Sequence, residues 1–410
     1  MKKLLIFSSI INILIFCSCN SLKTSENSIT LIGINDKNLK EYEGKISLSN
    51  GMSFNSYLII DEKILIINGV QKEYENEWLE KIQKNLKEKE PDFVLIQHME
   101  PDCSESLKIL IERYPKIKII SSSKSFSLMK RYYNNDFSKN KIIAKEGDKI
   151  NLGNHILQII EAPMVHWPEV IVAYDSYSET LFSGDAFGKF GVNDNNEQWD
   201  EEARIYYFAI IGSFGKHVEA LLKKISNLKI KNIYPNHGPI LTKNIEHYIS
   251  LYDKWSRYEP EEDGVVIVYS TVYGHTKVVV DKLEEKLKTL GVKYIIHNLS
   301  FSHISNVIAD AFKYSKLVLA TINYHDGIYP SIRIFLNSLI SKNYQNRVVS
   351  IIENYSWKSN NGAVIIKKLG NCKNLIFPYK VIPIHSSIKE EDIENINNLA
   401  IELSKKKYNI

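Results

Sequence analysis

The chain has 410 residues, 44% of them hydrophobic and 11% aromatic, which excludes an intrinsically disordered protein and provides enough core for two domains. Its 52 lysines and arginines exceed its 48 acidic residues by only four and are spread along the chain, so nucleic acid is not an expected partner. The four cysteines contain no CxxC pair, which excludes a disulfide framework and a cysteine-rich zinc module.

Residues 1–27 have the features of an export signal. Two lysines precede the mostly apolar run Leu4–Phe16, which has signal-peptide length and is too short to span a bilayer comfortably. The sequence "FCSC" that follows is a loose match to a bacterial lipoprotein cleavage box, with Cys19 as the lipidated residue. This predicts a membrane-anchored lipoprotein, and the alternative is an uncleaved extension on a cytoplasmic protein.

Residues 28–258 form the first predicted domain, in which short β-rich runs dominate. Asn55–Gly69 predicts a hairpin, because the charged turn Asp61–Lys63 separates two apolar runs. Further strands are predicted at Pro91–His98, Ile156–Pro163, Glu169–Asp185 and Ile230–Gly238, and helices at Glu75–Glu88 and Ser104–Arg113.

His98, Glu100 and Asp102 follow one another at intervals of two, at the end of a predicted strand. Side chains two apart in an extended loop point the same way, so His98 and Glu100 can converge on one ion. Asp102 and Cys103 come after the chain bends and can face a second ion. Alone this pattern is weak, since a histidine near acids at a strand end is more often structural.

Three further ligand-type residues strengthen the metal hypothesis. His166, Asp185 and His237 each lie at the junction between a predicted strand and a loop, and each is followed by turn residues. Together with His98, four such positions in this order are hard to assign to chance. The first domain is therefore predicted to hold metal ions. The other histidines, His155, His217 and His247, are predicted to be surface or packing residues, and Asn68 to be structural.

Residues 259–264 are predicted to be a linker, because "RYEPEEDG" combines a proline with four acidic residues. Residues 265–410 form the second predicted domain. Its predicted strands are Val265–Tyr269, Lys293–Leu299, Lys316–Ala320, Arg347–Ile352 and Lys380–Ile384. Its predicted helices are Lys277–Leu290, Ser305–Tyr314, Ser331–Leu339, Ala363–Leu369 and Lys389–Ser404. Five strands, each followed by a helix, predict a doubly wound parallel sheet.

A phosphate-binding loop is predicted within Val265–Thr276, where a buried strand is followed by a loop rich in hydroxyls and glycine and then by a helix. Ser270, Thr271 and Thr276, with the N–H groups of the helix N-terminus, can together hold a phosphate. The loop has no lysine or arginine, so it suits one phosphomonoester rather than a nucleoside triphosphate. In isolation, the alternative is an ordinary strand-to-helix turn.

The chain resembles the flavodiiron proteins (A-type flavoproteins). The resemblance covers about Ile29 to the C-terminus and includes "FNSYLI", "HMEPD", "HWPE", "FSGDAFG", "IGSFGKHV" and "NHGPI". It implies an α+β and α/β fold, with an N-terminal αββα metallo-β-lactamase-like sandwich followed by a flavodoxin-like doubly wound parallel five-stranded sheet. Hydrolases of this superfamily usually carry histidine at the position of Glu100 and bind zinc, whereas a carboxylate there suits iron better.

The resemblance implies two iron ions per chain and no catalytic residue beyond their ligands. The implied ligands are His98, Glu100 and His166 for one iron, Asp102 and His237 for the other, and Asp185 as the bridge. Cys103 departs from the pattern, since the family usually has histidine there. It could be a thiolate ligand, a non-ligating neighbour whose place a solvent molecule takes, or the sign of a weakened second site.

The resemblance also implies FMN in the second domain. In a sheet of order 2-1-3-4-5, ligands bind where strands 1 and 3 part, and the loops after strands 3 and 4 carry aromatic residues there. The candidate FMN-binding residues are Ser270, Thr271, Val272, Tyr273, Gly274, His275, Thr276, Ile322, Asn323, Tyr324, His325, Gly327, Tyr355 and Trp357. Asn323 and His325 are not the commonest residues at their positions.

The implied activity is the reduction of O2 to water, of NO to N2O, or of both, with electrons that pass through FMN. No rubredoxin or NAD-binding domain follows Ile410, so the expected donor is a separate protein of the rubredoxin or flavin reductase type. The resemblance implies a head-to-tail homodimer or a dimer of dimers. Two alternatives stay open, a zinc-dependent hydrolase joined to a flavodoxin-like module and a flavin electron carrier whose metal site has lapsed.

Overall fold

The computed structural model describes residues 28–135, 137–193, 199–325, 327–358 and 360–406. The predicted export signal in residues 1–27, with Cys17 and Cys19, lies outside the described residues. Within these ranges, no helix combines the length and the apolar character that a bilayer crossing requires.

The first half of the described chain is built from short strands and amphipathic helices. Its strands are β1 Ser28–Leu31, β2 Ile34–Asp36, β3 Glu41–Tyr42, β4 Ile46–Ser47, β5 Met52–Phe54, β6 Tyr57–Ile60, β7 Ile64–Ile67, β8 Phe93–Leu95, β9 Lys118–Ser121, β10 Lys141–Ile143, β11 Lys149–Asn151, β12 Ile156–Glu161, β13 Ile171–Asp175, β14 Thr180–Gly184 and β15 Asn232–Pro235. Its helices are α1 Glu75–Leu86, α2 Pro101–Ser104, α3 Leu107–Arg113, α4 Ser123–Tyr133, α5 Trp199–Tyr206, α6 Gly215–Ile225 and α7 Ile245–Ser256. A π-helical turn at Tyr207–Ile211 and a 3₁₀ turn at Gly212–Phe214 connect α5 to α6.

Two sheets face each other in this half, with strand orders β1-β6-β7-β8-β9-β10 and β11-β12-β13-β14-β15. Successive side chains of β6 point to opposite faces, as the pleat requires. Ile59 belongs to the apolar layer between the sheets, and Leu58 belongs to the layer that includes Trp78 of α1. The rings of Tyr57 and Phe182 meet between the sheets, with centroids 5.5 Å apart. This is the predicted αββα sandwich.

The hairpin predicted in Asn55–Gly69 is present, because Ile60 of β6 lies opposite Ile64 of β7. The predicted helix Ser104–Arg113 was wrong at its start and in its continuity. The first helical turn begins at Pro101, where proline is favoured because its φ is fixed and it has no N–H to satisfy. Asp102 and Cys103 therefore lie in a helical turn and not in an extended loop.

The second half alternates strands and helices. Its strands are β16 Glu262–Tyr269, β17 Tyr294–Asn298, β18 Tyr314–Tyr324, β19 Gly327–Ile328, β20 Arg347–Tyr355, β21 Leu375–Ile376 and β22 Ile382–His385. Its helices are α8 His275–Thr289, α9 Ile304–Lys313, α10 Pro330–Ser341, α11 Asn361–Leu369 and α12 Glu390–Leu403. The parallel order β17-β16-β18-β20 followed by β21 and β22 is the predicted 2-1-3-4-5 sheet, with its fifth strand split into two pieces that both pair with β20.

The predicted linker 259–264 was wrong in its second half, because β16 begins at Glu262 and pairs with Tyr314 of β18. Glu261 of the acidic run is held by one partner distant in the sequence and by one nearby. Glu261 accepts two hydrogen bonds from Arg204, at 2.5 and 2.6 Å, and one from the Trp255 indole at 2.6 Å. These contacts fasten the second half to the first at the point where a free linker was expected.

Candidate metal centre and flavin cleft

All six predicted metal ligands lie at one end of the sandwich, in the segments that follow strands. Glu100 is the N-cap residue of α2, which places it between the histidine that follows β8 and the aspartate in the helix. Strands β14 and β15 are parallel neighbours, so their carboxyl ends bring Asp185 and His237 to the same edge. Parallel pairing of β14 and β15 thus explains why Asp185 and His237, far apart in the sequence, meet.

The first group of donors is compact. The donor atoms that lie within 4.8 Å of one another belong to His98, Glu100, His166 and Asp185. Nε2 of His166 is 3.0 Å from Oε2 of Glu100 and 3.3 Å from Oδ2 of Asp185. Nε2 of His98 is 3.2 and 3.5 Å from the same two oxygens. Two imidazoles and two carboxylates therefore converge on a single point.

A second group adjoins the first through Asp185. Nε2 of His237 lies 3.2 Å from Oδ2 of Asp102 and 3.6 Å from Oδ1 of Asp185. Asp185 thus turns one oxygen toward each group, as a bridging carboxylate does. The structure brings all six predicted ligands into one continuous cluster.

Two residues that the sequence did not reveal fix the ligand histidines. Nδ1 of His98 lies 2.8 Å from Oε1 of Glu169, and Nδ1 of His237 lies 2.7 Å from the carbonyl oxygen of Ser53. Each imidazole donates its Nδ1–H outward, which leaves Nε2 free to bind a metal. In the sequence, the motif "HWPE" places the carboxylate of Glu169 near His166. Its hydrogen-bond partner in the structure is His98, which lies 71 residues earlier.

Two buried carboxylate oxygens of the cluster, Oδ1 of Asp102 and Oδ2 of Asp185, accept no hydrogen bond within the described residues. A buried charged oxygen without a hydrogen bond is costly unless a cation faces it. The donor set, which combines several carboxylates with the Nε2 atoms of three imidazoles, matches the chemistry of iron. The cluster therefore fits two metal ions.

The charges in the cluster shift its pKa values strongly. Burial lowers the pKa of His98, but its bonds to Glu100 and Glu169 outweigh burial and raise it to about 10. The same balance, with carboxylates outweighing burial, raises the pKa of His166 and of His237 to about 9. Burial raises the pKa of Glu100, but hydrogen bonds from the two nearby imidazoles outweigh it and bring the value to about 2. Protons on the imidazoles thus neutralise the carboxylates wherever no metal is bound.

Cys103 does not join either donor group. Its Sγ lies 3.4 Å from the carbonyl oxygen of Glu100 and 3.5 Å from that of His98, so the thiol donates to backbone. Consecutive residues of a helical turn leave the axis about 100° apart, which directs the short cysteine side chain away from that of Asp102. Burial and the neighbouring carboxylates raise the pKa of the thiol well above its usual range. Of the three interpretations, this geometry fits the non-ligating neighbour.

A cavity of about 440 Å³ opens at the carboxyl edge of β16, β18 and β20, where the sheet order predicts a ligand. The predicted residues that line it are Thr271, Val272, Tyr273, His275, Thr276, Ile322, Asn323, Tyr324, His325, Tyr355 and Trp357. Residues that line it without having been predicted are Asn354, Ser356 and Ser386. The last of these was missed because it follows the fifth strand, which the prediction left out of the cleft.

Three predicted FMN residues do not line the cavity. The Ser270 hydroxyl lies 3.0 Å from that of Ser331 below the loop. Gly274 is the N-cap of α8 with φ of 89°, a conformation that favours glycine. The carbonyl of Gly327 accepts a hydrogen bond from Asn361. All three shape the loops around the cavity.

The cavity fits a flavin phosphate at the N-terminus of α8. No side chain caps this helix, so the N–H groups of its first turn point into the loop without a side-chain acceptor. The Thr276 hydroxyl is fully buried and has no hydrogen-bond partner among the described residues. A phosphate oxygen would accept hydrogen bonds from the first-turn N–H groups and from the Thr276 hydroxyl.

Aromatic side chains lie beside this loop. Tyr355 stacks on His385 with ring centroids 5.3 Å apart, and Trp357 is 84% exposed at the rim of the cavity.

The remaining predictions concern residues outside the metal ligands. His155 is buried and bonds to Asp175 at 2.8 Å, whereas His217 and His247 are exposed. All three are packing or surface residues, as predicted. Asn68 donates to Asn236 at 2.7 Å, and Asn236 donates to Oδ1 of Asp185 at 3.1 Å. The structural role predicted for Asn68 therefore includes indirect support of the bridging carboxylate.

Comparison with known proteins gives the same picture. Residues 52–238 match the family described as ODP family beta lactamase. A nitric oxide reductase of Moorella thermoacetica is 26% identical over 358 residues, which cover 85% of this chain and 89% of that protein. A diflavin flavoprotein of Nostoc sp. is 26% identical, and the chain spans only 57% of its length.

Solved structures extend the match over both halves. A flavo-di-iron protein from Thermotoga maritima is 25% identical, with a TM-score of 0.82, and covers 92% of this chain and 96% of its own. The rubredoxin oxygen:oxidoreductase of Desulfovibrio gigas has the same fold, with a TM-score of 0.86 at 21% identity over 92% and 96% of the two chains.

The fold and the two sites define a class of protein that joins a metallo-β-lactamase-like metal domain to a flavodoxin-like domain in one chain. Within that class the chain is similar to the flavodiiron proteins along 92% of its length, and its named relatives include a nitric oxide reductase and flavorubredoxins, which are oxidoreductases.

Proposed function

We propose that this flavodiiron protein reduces O2 to water, NO to N2O, or both, with electrons that enter through FMN. The observation that carries the proposal is the presence, in one chain, of a six-ligand cluster with unsatisfied buried carboxylate oxygens and a cleft shaped for a flavin phosphate. Named relatives that reduce nitric oxide or oxygen support the choice of substrates.

The protein's own residues prepare the cluster for this chemistry. Iron would bind and polarise the gas, while FMN would supply the electrons. Glu169 and Ser53 orient two ligand imidazoles, so the cluster is held in place before any metal binds. Trp167, 4.9 Å from the His98 ring, and Phe54, 5.8 Å from the His237 ring, give the cluster apolar walls that restrict water.

The zinc-hydrolase alternative is not favoured. It leaves the flavin cleft without a role, and it expects an imidazole where Glu100 supplies a carboxylate to the cluster. The lapsed-site alternative is also weaker, since all six predicted ligands converge in spite of Cys103.

We propose that the flavin and the metal centre of different chains meet in a head-to-tail homodimer. The cleft is lined by residues of the second half alone, whereas the metal ligands all belong to the first half. Tyr273 and Trp357 at the rim of the cleft are 90% and 84% exposed, and exposed aromatic residues of this size commonly mark an interface. The donor of electrons would be a separate protein of the rubredoxin or flavin reductase type.

We also propose that Cys19 anchors the chain to a membrane as a lipoprotein. The support is the sequence of residues 1–27 alone. Palmitate labelling of the wild type and of Cys19→Ala tests it. Labelling that is lost in the variant supports the anchor, and equal labelling of both removes Cys19 from the proposal.

The activity is tested by measuring iron, zinc and flavin in the purified chain together with consumption of O2 and NO. We expect about two iron ions and one FMN per chain, with consumption of at least one gas. Zinc in the cluster with hydrolysis of an ester or lactam would contradict the proposal. Flavin without metal would favour an electron carrier.

A further inference from the structure

The second metal position is short of one protein donor. Apart from the shared Asp185, Asp102 and His237 are the donors that reach it among the residues that the structure describes, because the Cys103 thiol bonds to backbone carbonyls. The protein's contribution to this position beyond Asp185 therefore rests on two side chains. His237 is held by the Ser53 carbonyl, which raises the question of what holds Asp102.

Tyr42 holds Asp102 from a hairpin that precedes every ligand in the sequence. Its hydroxyl donates a hydrogen bond of 2.6 Å to Oδ2 of Asp102. Strands β3 and β4 pair Tyr42 with Ile46, and both residues are buried, while Glu41 and Ser47 face solvent. The hairpin thus inserts one face into the cluster.

The Tyr42 ring is also fixed by its neighbours. Its centroid lies 6.0 Å from that of His237 and 5.9 Å from that of Phe190, with both rings inclined to it. A buried aromatic ring packed on two sides has few alternative rotamers, so its hydroxyl stays directed at Asp102. The contact is therefore built into the fold.

We infer that Tyr42 is a positioning residue for the second metal position, where its hydroxyl fixes the carboxylate of Asp102 opposite His237. This inference rests on the proposed function, because it assumes that the second position is occupied. Tyr42 does for Asp102 what Glu169 does for His98 and what Ser53 does for His237.

The contact distance favours a hydrogen-bonding role over direct ligation. Bonds of about 2.5–2.7 Å are typical of a hydroxyl that donates to an ionised carboxylate. A phenolate at 2.6 Å from Oδ2 of Asp102 would place two anionic oxygens in contact without a proton between them. Tyr42 is therefore a donor to a ligand and not a ligand.

The experiment is a titration of the metal-free full chain with Co²⁺, followed by its visible absorption. Loss of one binding step in His166→Ala identifies the first position, and loss of one step in His237→Ala identifies the second. Tyr42→Phe is expected to weaken the second step about 10- to 100-fold and to leave the first unchanged, as removal of an outer-shell partner does. Tyr42→His, which keeps a ring and a donor, is expected to recover part of the affinity.

The matched control is Tyr74→Phe. The Tyr74 hydroxyl donates an equally short bond, 2.6 Å, to Oδ2 of Asp36, and neither residue is a predicted ligand. We expect both binding steps to be unchanged in this variant. Circular dichroism of each metal-free variant shows whether it has folded.

Three results would overturn the inference: an unchanged second step in folded Tyr42→Phe, equal weakening of both steps, or a tyrosinate-to-iron absorption band in the ferric wild type that Tyr42→Phe loses. If Tyr42→Phe does not fold, the comparison of Tyr42→His with the wild type decides: a partly weakened second step with an unchanged first step supports the inference, and an unchanged second step overturns it. A wild type that binds one Co²⁺ per chain would overturn the proposed function itself, whatever the variants do.

Discussion

The two donor groups share Asp185, which turns one carboxylate oxygen toward each, but they are built differently. The compact donors of the first position belong to His98, Glu100, His166 and Asp185. Within the described part of the chain, the second group has Asp102 and His237 besides Asp185, and the Tyr42 hydroxyl donates to Asp102 from outside the group. The short side chain of Cys103 thus leaves the second group with one donor fewer than the first, while the neighbouring donors keep their geometry.

The largest effect on metal affinity is expected from substitution of Asp185, the residue that both metal positions share. Asp185→Asn should lower the metal affinity of both positions by more than about 100-fold, because a bridging ligand weighs more than an outer-shell partner. Iron content per chain is the measurement. Asp102→Asn is the matched variant and should empty the second position alone. Retention of both irons in Asp185→Asn would show that the carboxylate does not bridge.

The next largest effect is expected at the groups that orient the ligand histidines, and it should differ between the two metal positions. Glu169→Ala removes the carboxylate that fixes His98, so the first position should lose about 10- to 100-fold in metal affinity while the second is unchanged. A Co²⁺ titration measures both steps. Glu161→Ala, at an exposed carboxylate, should change neither step. Equal weakening of both positions by Glu169→Ala would mean that the two are not independent.

A smaller effect on metal affinity is expected at Cys103, the residue that gives the two positions different numbers of donors. Cys103→Ala should leave both affinities within about threefold of the wild type, because the thiol bonds only to carbonyl oxygens. Cys103→His should tighten the second position by returning an imidazole to it. A sulfur-to-cobalt charge-transfer band in the wild type that Cys103→Ala loses would make Cys103 a ligand after all.

The smallest effect is a pH dependence of the metal-free protein. The pKa values of His98, His166 and His237 are raised from about 6.5 to between about 9 and about 10, so the protonated imidazoles stabilise the fold. That contribution is fully present below about pH 6.5 and is lost as the pH rises through 9 to 10. The lowered carboxyl pKa of Glu100, about 2, affects stability only in acid, where its contribution is lost as the pH falls through 2.

Thermal unfolding of the metal-free protein from pH 6 to 10 should therefore show a falling melting temperature. The metal-loaded protein is the control, since its imidazoles bind metal instead of protons and its decline should be weaker. A metal-free protein whose melting temperature rises over this range would contradict the assigned charges.

The sequence predicted the ligands better than it predicted what supports them. His98, His166, Asp185 and His237 were recognisable because each follows an apolar strand and precedes a turn. Ser53 acts through its backbone carbonyl, which has no signature in the sequence. Tyr42 lies in a strand of two residues, which is too short for any periodicity to appear.

Long-range pairing explains the remaining errors. The acidic run at 259–263 resembles a linker in the sequence, because the Arg204 partner of Glu261 lies 57 positions earlier. The helical turn that contains Cys103 was placed too late, because the preference of Pro101 for a first turn was not used. The doubly wound parallel sheet, by contrast, follows from its regular alternation of strands and helices, and the 2-1-3-4-5 order of the resembling family adds the place of the flavin cleft.

The most direct test of the account is whether the metal cluster, rather than the flavin, reduces the gas. Chemically reduced wild type and Asp185→Asn would be mixed separately with O2 and with NO, and the reoxidation of FMN followed by absorbance. The account predicts that at least one gas reoxidises the wild-type flavin rapidly, and that the variant with the same FMN content is slower by more than about 100-fold. Equal rates in the two proteins would show that the cluster takes no part and would contradict the account.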